Sequence, residues 1–138
     1  MTRRRWAAVV LTAMLISVLP AGPASAQELS VEIGFDARLI DPLTAALRIR
    51  YRCPAELQVQ EALAYITQDG QTSQFSPIAP VCDGTLRTSF VRIHAFEESP
   101  FHRGSARATA YLLMEDPETH DTVDAGDTGR IRLRVAER

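Results

Sequence analysis

The sequence predicts an all-β protein: a single immunoglobulin-like antiparallel β-sandwich of about seven strands with one disulfide. Three features predict it. Short segments alternate apolar with polar residues, turn-forming dipeptides separate them, and two cysteines occur in a chain that begins like an exported protein. Alternation with a period of two is typical of strands that bury one face. Several such strands without helical periodicity favour a sandwich.

The first 26 residues have the pattern of a signal peptide. A basic start, "MTRRR", precedes an apolar run from Trp6 to Leu19 and a small-residue site that ends at Ala26. The run is too short to cross a bilayer and no second one follows, so no transmembrane segment is expected after signal removal. Residues 27–138 are expected to form one secreted, extracellular domain. General secretion and twin-arginine export both remain open.

Six segments after the signal carry the strand pattern. They are residues 29–35, 41–53, 56–70, 86–95, 104–117 and 129–135. Asp41-Pro42 and Asp69-Gly70 supply turn signals, and the Pro- and Ser-rich stretch 71–84 is interpreted as a loop or an edge segment. A helix is the less favoured alternative for 56–70. The following residues are predicted to face inward: Leu29, Val31, Ile33, Phe35, Leu57, Val59, Leu63, Tyr65, Thr67, Val91, Ile93, Ala95, Ala106, Ala108, Ala110, Leu112, Met114, Ile131, Leu133 and Val135.

The two cysteines predict one disulfide bond. Cys53 and Cys82 are the chain's whole complement, and exported proteins rarely keep free thiols. The bridge is expected to tie the end of segment 41–53 to the loop that precedes the strand at 86–95. It would close a loop of about 30 residues, which favours a substantial contribution to stability.

"LRIRYRC" (47–53) raises the question of what its arginine side faces. Strands point successive side chains to opposite faces, so Arg48, Arg50 and Arg52 lie on one side. If segments 29–35 and 41–53 form a hairpin, Glu32 is expected opposite Arg48. The same register pairs Ser30 with Arg50 and Glu28 with Arg52. On this interpretation the arginine stripe faces its own protein and water.

The arginines of the last segment are assigned to a different surface. In an immunoglobulin-like arrangement the strand that carries Arg130, Arg132 and Arg134 belongs to the other sheet. All 17 acidic residues but only 12 of the 15 basic residues follow residue 26, so residues 27–138 carry a net charge of −5. Two separate stripes and this net charge argue against nucleic acid as a partner and predict little retention on heparin.

The sequence contains no pattern typical of catalysis, a cofactor or a metal site. His94, His102 and His120 lack the spacing of metal ligands. The acidic stretch 115–127 fails the EF-hand spacing and is interpreted as a charged, solvated hairpin. A nucleophile elbow and a glycine-rich phosphate loop are both missing from the sequence. We therefore expect a protein that is not an enzyme and holds no cofactor or metal.

Four pieces of sequence carry a resemblance. They are "YRCP" (51–54), "CDG" (82–84), "FVRIHA" (90–95) and "FHRGSARATA" (101–110). Over about residues 44 to 114 the chain resembles a group of small secreted actinobacterial proteins of unknown function, described as immunoglobulin-like β-sandwiches with one disulfide. That resemblance implies the same fold and no catalytic residue. A more remote similarity is to the neocarzinostatin apoprotein type of sandwich, which carries two disulfides where this chain has cysteines for one.

The leading functional hypothesis is an exported, non-enzymatic binding domain of the bacterial envelope or extracellular space. Its partner would be a protein or an envelope component of unknown identity. The alternative is a secreted inhibitor of a protease or glycosidase that uses the loop "FEESPFHRG" (96–104). In that loop Pro100 would add stiffness and Phe101 would be an exposed apolar anchor. A small-ligand carrier is a third, less supported hypothesis.

Overall fold

The structure is a computed structural model that describes residues 28–135. The predicted signal peptide, 1–26, lies outside the described residues. Within them the protein is all-β and contains eight strands. They are β1 Ser30–Asp41, β2 Thr44–Arg52, β3 Gln58–Gln68, β4 Gln71–Thr72, β5 Ser76–Pro77, β6 Arg87–His94, β7 Gly104–Glu115 and β8 Thr122–Val135. No helix of the described part is long and apolar enough to cross a membrane.

The strands form one curled, mixed sheet with the shape of a half-barrel. Their order is β4, β3, β7, β8, β1, β2 and β6, and β5 pairs with β3. The all-β prediction is confirmed, whereas the two-sheet immunoglobulin-like sandwich is not. The predicted purely antiparallel pairing is wrong for one pair, because β1 and β8 run parallel from Asp36 and Arg132 onwards. That pairing places the last strand beside the first.

The core lies on the concave side of the sheet. The predicted inward faces of β6 and β7 are confirmed by the burial of their alternating apolar residues. The prediction for β3 is wrong by one residue, because Ala62, Ala64 and Ile66 are buried instead of Leu63 and Tyr65. A bulge between Val59 and Glu61 shifts the strand's register. Across the pairing with the neighbouring strand β7, Ala64 lies opposite the buried Ala110 and Ile66 lies opposite the buried Ala108. At the end of β8, Val135 is exposed rather than inward.

The segment between β4 and β6 covers the open side of the half-barrel. On the β3 side, Ser73 N donates to Ile66 O at 2.8 Å. On the β6 side, Gln74 N donates to His94 O at 2.9 Å. The disulfide Cys53–Cys82, with a Cα–Cα distance of 4.5 Å, fixes the end of this segment to the end of β2. The predicted bridge and its place in the fold are both confirmed.

The loop between β6 and β7 does not expose the residue on which the inhibitor hypothesis depended. Phe101 is only 7% exposed and belongs to the core. Its N–H donates to Pro42 O, in the β1–β2 turn, at 2.8 Å. The prediction of Phe101 as an exposed anchor is therefore wrong, while Pro100 is exposed. The ring of Phe101 joins the buried core cluster although its loop is mostly polar.

An ion pair between His102 and Asp69 joins this loop to the turn after β3. The Asp69 carboxylate, helped by the Arg103 carbonyl, raises the pKa of His102 above its ordinary value of 6.5. A raised pKa in the folded state stabilises the protein fully below the ordinary pKa and no longer once pH exceeds the raised one. We expect Asp69→Asn to lower the melting temperature more at pH 5.5 than at pH 9.

Melting curves of matched variants check this expectation. Asn tolerates the left-handed backbone of position 69, where φ is 52°, so the turn itself is preserved. Glu97→Gln, which removes an exposed carboxylate from the β6–β7 loop, is the control for lost charge. An equal pH dependence in both variants would contradict a specific role of the His102 pair.

Candidate binding surface

The convex side of the sheet collects most of the protein's positive charge. Nine arginines on β7, β8, β1, β2 and β6 point outward, and we call this surface the arginine face. Its members are Arg38, Arg48, Arg50, Arg52, Arg92, Arg107, Arg130, Arg132 and Arg134. Eight of them are exposed, and Arg52 is half-buried. Only two other arginines, Arg87 and Arg103, lie among the described residues.

The predicted separation of the two arginine stripes is wrong. The stripe of β8 was expected in a second sheet, but β8 pairs with β1, which in turn pairs with β2. Neighbouring strands of one sheet share an outer face, so both stripes lie on the same surface. The convex face is therefore continuous from β7 to β6.

The hairpin of β1 and β2 is confirmed, but its predicted register is wrong by two residues. Glu32 lies opposite Arg50 and Ser30 lies opposite Arg52. The reason is that β1 continues to Asp41 and a tight turn joins it to Thr44, which sets the register from the turn. Arg48 then lies between Phe90 on β6 and the irregular stretch of β1 between Ile33 and Ala37.

Like charges lie directly opposite each other at two places on the arginine face. Arg107 on β7 is paired with Arg130 on β8, and Arg38 on β1 is paired with Arg134 on β8. Such cross-strand pairs are destabilising. The one salt bridge on this face among the described residues joins Arg134 Nε to Asp36 Oδ1 at 3.2 Å. The outward carboxylates of these five strands are Glu32 and Asp36 on β1, Glu115 on β7 and Asp124 on β8, so the face keeps a positive excess of nine arginines over four carboxylates.

Six carboxylates cluster where β7 ends and where β3 and β8 begin. This acidic end contains Glu61, Glu115, Asp116, Glu118, Asp121 and Asp124. Burial, together with the charges of Asp124 and Glu61, raises the pKa of Tyr111 on β7. Two hydrogen bonds, from Gln60 and from His120, lower the pKa of Glu115. The convex side is therefore negative at this end and positive where β1, β2 and β6 carry their arginines.

Two phenylalanines project from the arginine face beside Arg48. Phe90 on β6 lies directly opposite Arg48 and is 69% exposed. Phe35 is 83% exposed and lies in the irregular stretch of β1, between Ile33 and Ala37, that faces Arg48 from the other side. The side chain of Arg48 lies over Gly34 of β1, because a Cβ atom added to Gly34 would be 3.5 Å from Arg48 Nε. Two apolar rings thus flank a central cation.

The other predicted sites take different places. The convex face carries Arg48, Arg50 and Arg52 as expected. The other two predicted residues, Pro100 and the buried Phe101, lie in the β6–β7 loop, at the end of the sheet that contains the β1–β2 turn. Two depressions occur at that end. One, of about 200 Å³, is lined by residues including Gln68, Asp69 and Pro100, and the other, of about 620 Å³, by residues including Asp41, His94 and Glu97. Each is lined by a mixture of charged and apolar residues, with two carboxylates in either one.

Sequence reasoning placed Phe90 and Arg92 on the outer side of their strand but did not single them out. Phe35 was assigned to the inner face because it continues the alternation of Ile33.

Among residues 28–135, no group of three or more His, Cys, Asp or Glu side chains is arranged to hold a metal ion. No protein-family model and no curated protein matches this chain. The functional argument therefore depends on the arginine face.

Proposed function

We propose that the protein is an exported, non-enzymatic binding domain that holds an anionic partner on its arginine face. The single observation that carries this proposal is the charge excess of that face: nine arginines against four outward carboxylates on one continuous sheet surface, with two of the four, Glu115 and Asp124, at its acidic end. A surface selected for stability alone would alternate charges across strands. Keeping arginine opposite arginine costs stability, and an anionic partner would offset that cost.

The distribution of the remaining charge supports an oriented encounter. The acidic end is repelled by the same partner that attracts the arginines, so the encounter favours the part of the convex side that β1, β2 and β6 form. Such steering raises the association rate and weakens as salt screens it. Export and the likeness to secreted actinobacterial proteins remain proposals that the first 26 residues and the four matched pieces support.

The inhibitor alternative loses its main support. Phe101, the intended anchor, is in the core, and its loop is fastened to the β1–β2 turn and to the turn after β3. The exposed groups that remain in this loop include Phe96, Glu97, Glu98 and Pro100. They form no apolar anchor comparable to the pair on the arginine face.

Retention on heparin, an anionic polysaccharide, tests the proposed function. We expect the protein to be retained at low salt and released as salt rises, which reverses the expectation drawn from two separate sheets. The double variant Arg48→Gln/Arg92→Gln should reduce the slope of log affinity against log salt by about 2, one for each lost contact. Both side chains are exposed, and neither forms a salt bridge with a described residue.

Arg87→Gln/Arg103→Gln is the matched control. It removes the same charge from the chain, but both residues lie off the arginine face, and Arg87 pairs with Asp83. We expect the control to keep the wild-type slope. Equal losses in the two double variants would mean that only net charge matters, and a wild type that is not retained at low salt would refute the proposal.

A further inference from the structure

We infer that the anionic partner is the surface of an acidic phospholipid bilayer, into which Phe35 and Phe90 insert at headgroup depth. This inference rests on the proposed function and adds the identity of the partner. It is carried by the juxtaposition of two exposed phenyl rings with Arg48 at the centre of the convex arginine face.

The two phenyl rings require a partner with an apolar layer. They are the two most exposed large apolar side chains in the described chain, at 83% for Phe35 and 69% for Phe90. Isolated surface apolar residues need no explanation, but here both flank the same arginine. Surfaces that bind the membrane interface combine basic side chains with Phe, Trp or Leu. An anionic polysaccharide would satisfy the arginines and leave the rings in water.

The shape of the surface also favours a bilayer over a linear polymer. Proteins that hold single-stranded polyanions use a positively charged groove with aromatic rings inside it. Here the outer face of a curled sheet is convex, and the rings are at its most exposed points. A convex basic surface with projecting rings can press into a soft headgroup layer. The aliphatic stem of Arg48 can lie between the rings while its guanidinium meets phosphate, as long basic side chains do at membrane interfaces.

The charge distribution sets the orientation on such a membrane. Ala46 on β2 lies between Arg38 on β1 and Arg92 on β6. Arg134 on β8 pairs with Arg38 from its other side, so three arginines are close together here. The acidic end lies where β7 ends and where β3 and β8 begin. There Glu115 and Asp124 would be repelled by lipid phosphate. The protein would therefore meet the membrane with β1, β2 and β6.

Vesicle co-sedimentation tests the inference with protein purified from the medium of a secreting host as a chain that starts at Gln27. The probes are vesicles of pure phosphatidylcholine and vesicles that also contain phosphatidylglycerol. We expect binding to the phosphatidylglycerol vesicles alone. Phe35→Ser/Phe90→Ser should weaken that binding by about ten-fold or more while leaving heparin elution unchanged.

Phe75→Ser/Phe96→Ser is the matched control. Phe75 is 65% exposed and packs edge-on against Tyr65 at 5.1 Å, and Phe96 is 44% exposed after β6, so both rings lie off the arginine face. We expect wild-type vesicle binding from this variant. Arg48→Gln/Arg92→Gln should weaken binding to vesicles and to heparin together.

Tryptophan fluorescence detects directly whether position 90 inserts into the bilayer. The chain's single tryptophan, Trp6, precedes Gln27, so Phe90→Trp gives the secreted form one reporter. Its emission should shift to the blue with phosphatidylglycerol vesicles and be quenched by brominated acyl chains, whereas that of Phe75→Trp should not change.

The outcomes separate the inference from the proposed function. Retention on heparin without vesicle binding would overturn the bilayer and leave the proposed function standing. Vesicle binding that survives Phe35→Ser/Phe90→Ser, or an unchanged Phe90→Trp spectrum, would overturn insertion. Binding of a single-stranded oligonucleotide that depends on both rings, with no vesicle binding, would assign the surface to nucleic acid instead. Failure on heparin and vesicles alike would overturn both proposals.

Discussion

Phe101→Ala is expected to lower the free energy of unfolding by about 3–5 kcal/mol, as for other buried phenylalanines. The ring is 7% exposed and belongs to the core cluster. Its backbone N–H bonds to Pro42 O, so the emptied space lies where the β6–β7 loop is fastened to the β1–β2 turn. Urea unfolding at equilibrium measures the effect.

Two substitutions at exposed positions are the controls for this prediction. Pro100→Ala, at the exposed neighbouring position, and Phe75→Ala, at an exposed ring, should each cost far less than Phe101→Ala. Comparable losses from Phe75→Ala and Phe101→Ala would contradict the core position of Phe101. A test of inhibition should therefore use Pro100 and Phe96, because Phe101→Ala would reduce any activity through the fold.

Local alternation predicted the strands whose two faces differ clearly. In β6 and β7 one face is apolar and the other polar, as with Val91 and Ile93 against Arg92, so the inward side was correctly assigned. In β3 both faces carry apolar residues. The alternation that begins at Leu57 and Val59 continues to Leu63 and Tyr65, but the bulge between Val59 and Glu61 turns Ala62 and Ala64 inward instead. The choice depends on β7, whose buried Ala108 and Ala110 lie opposite Ile66 and Ala64.

The arginine face could not be predicted because it depends on a pairing between the two ends of the chain. Nothing local in "GRIRLRV" (129–135) indicates that it lies parallel to β1 rather than in a second sheet. The position of Phe35 depends on the irregularity between Ile33 and Ala37, which interrupts a regular alternation. The outward direction of Phe90, in contrast, follows from period two alone.

The disulfide was predictable for a simpler reason. Two cysteines allow one intramolecular pairing, so no choice among connectivities had to be made. The sequence could not indicate which parts of the fold the disulfide holds together. It fastens the segment that covers the open side of the half-barrel, between β3 and β6, to the end of β2.

Removing the bridge with Cys53→Ala/Cys82→Ala is expected to cost about 3.6 kcal/mol of unfolding free energy, from the entropy of the loop it closes. At roughly 4 °C per kcal/mol, the melting temperature should fall by about 15 °C. Cys53 is fully buried, so alanine leaves no unsatisfied polar group there. Differential scanning calorimetry measures the loss, and reduction of the wild type should reproduce it. A fall of less than about 3 °C would show that backbone hydrogen bonds such as Gly84 N to Cys53 O hold the segment by themselves. Below its own melting temperature the double variant should still bind acidic vesicles like the wild type, because the bridge lies off the arginine face.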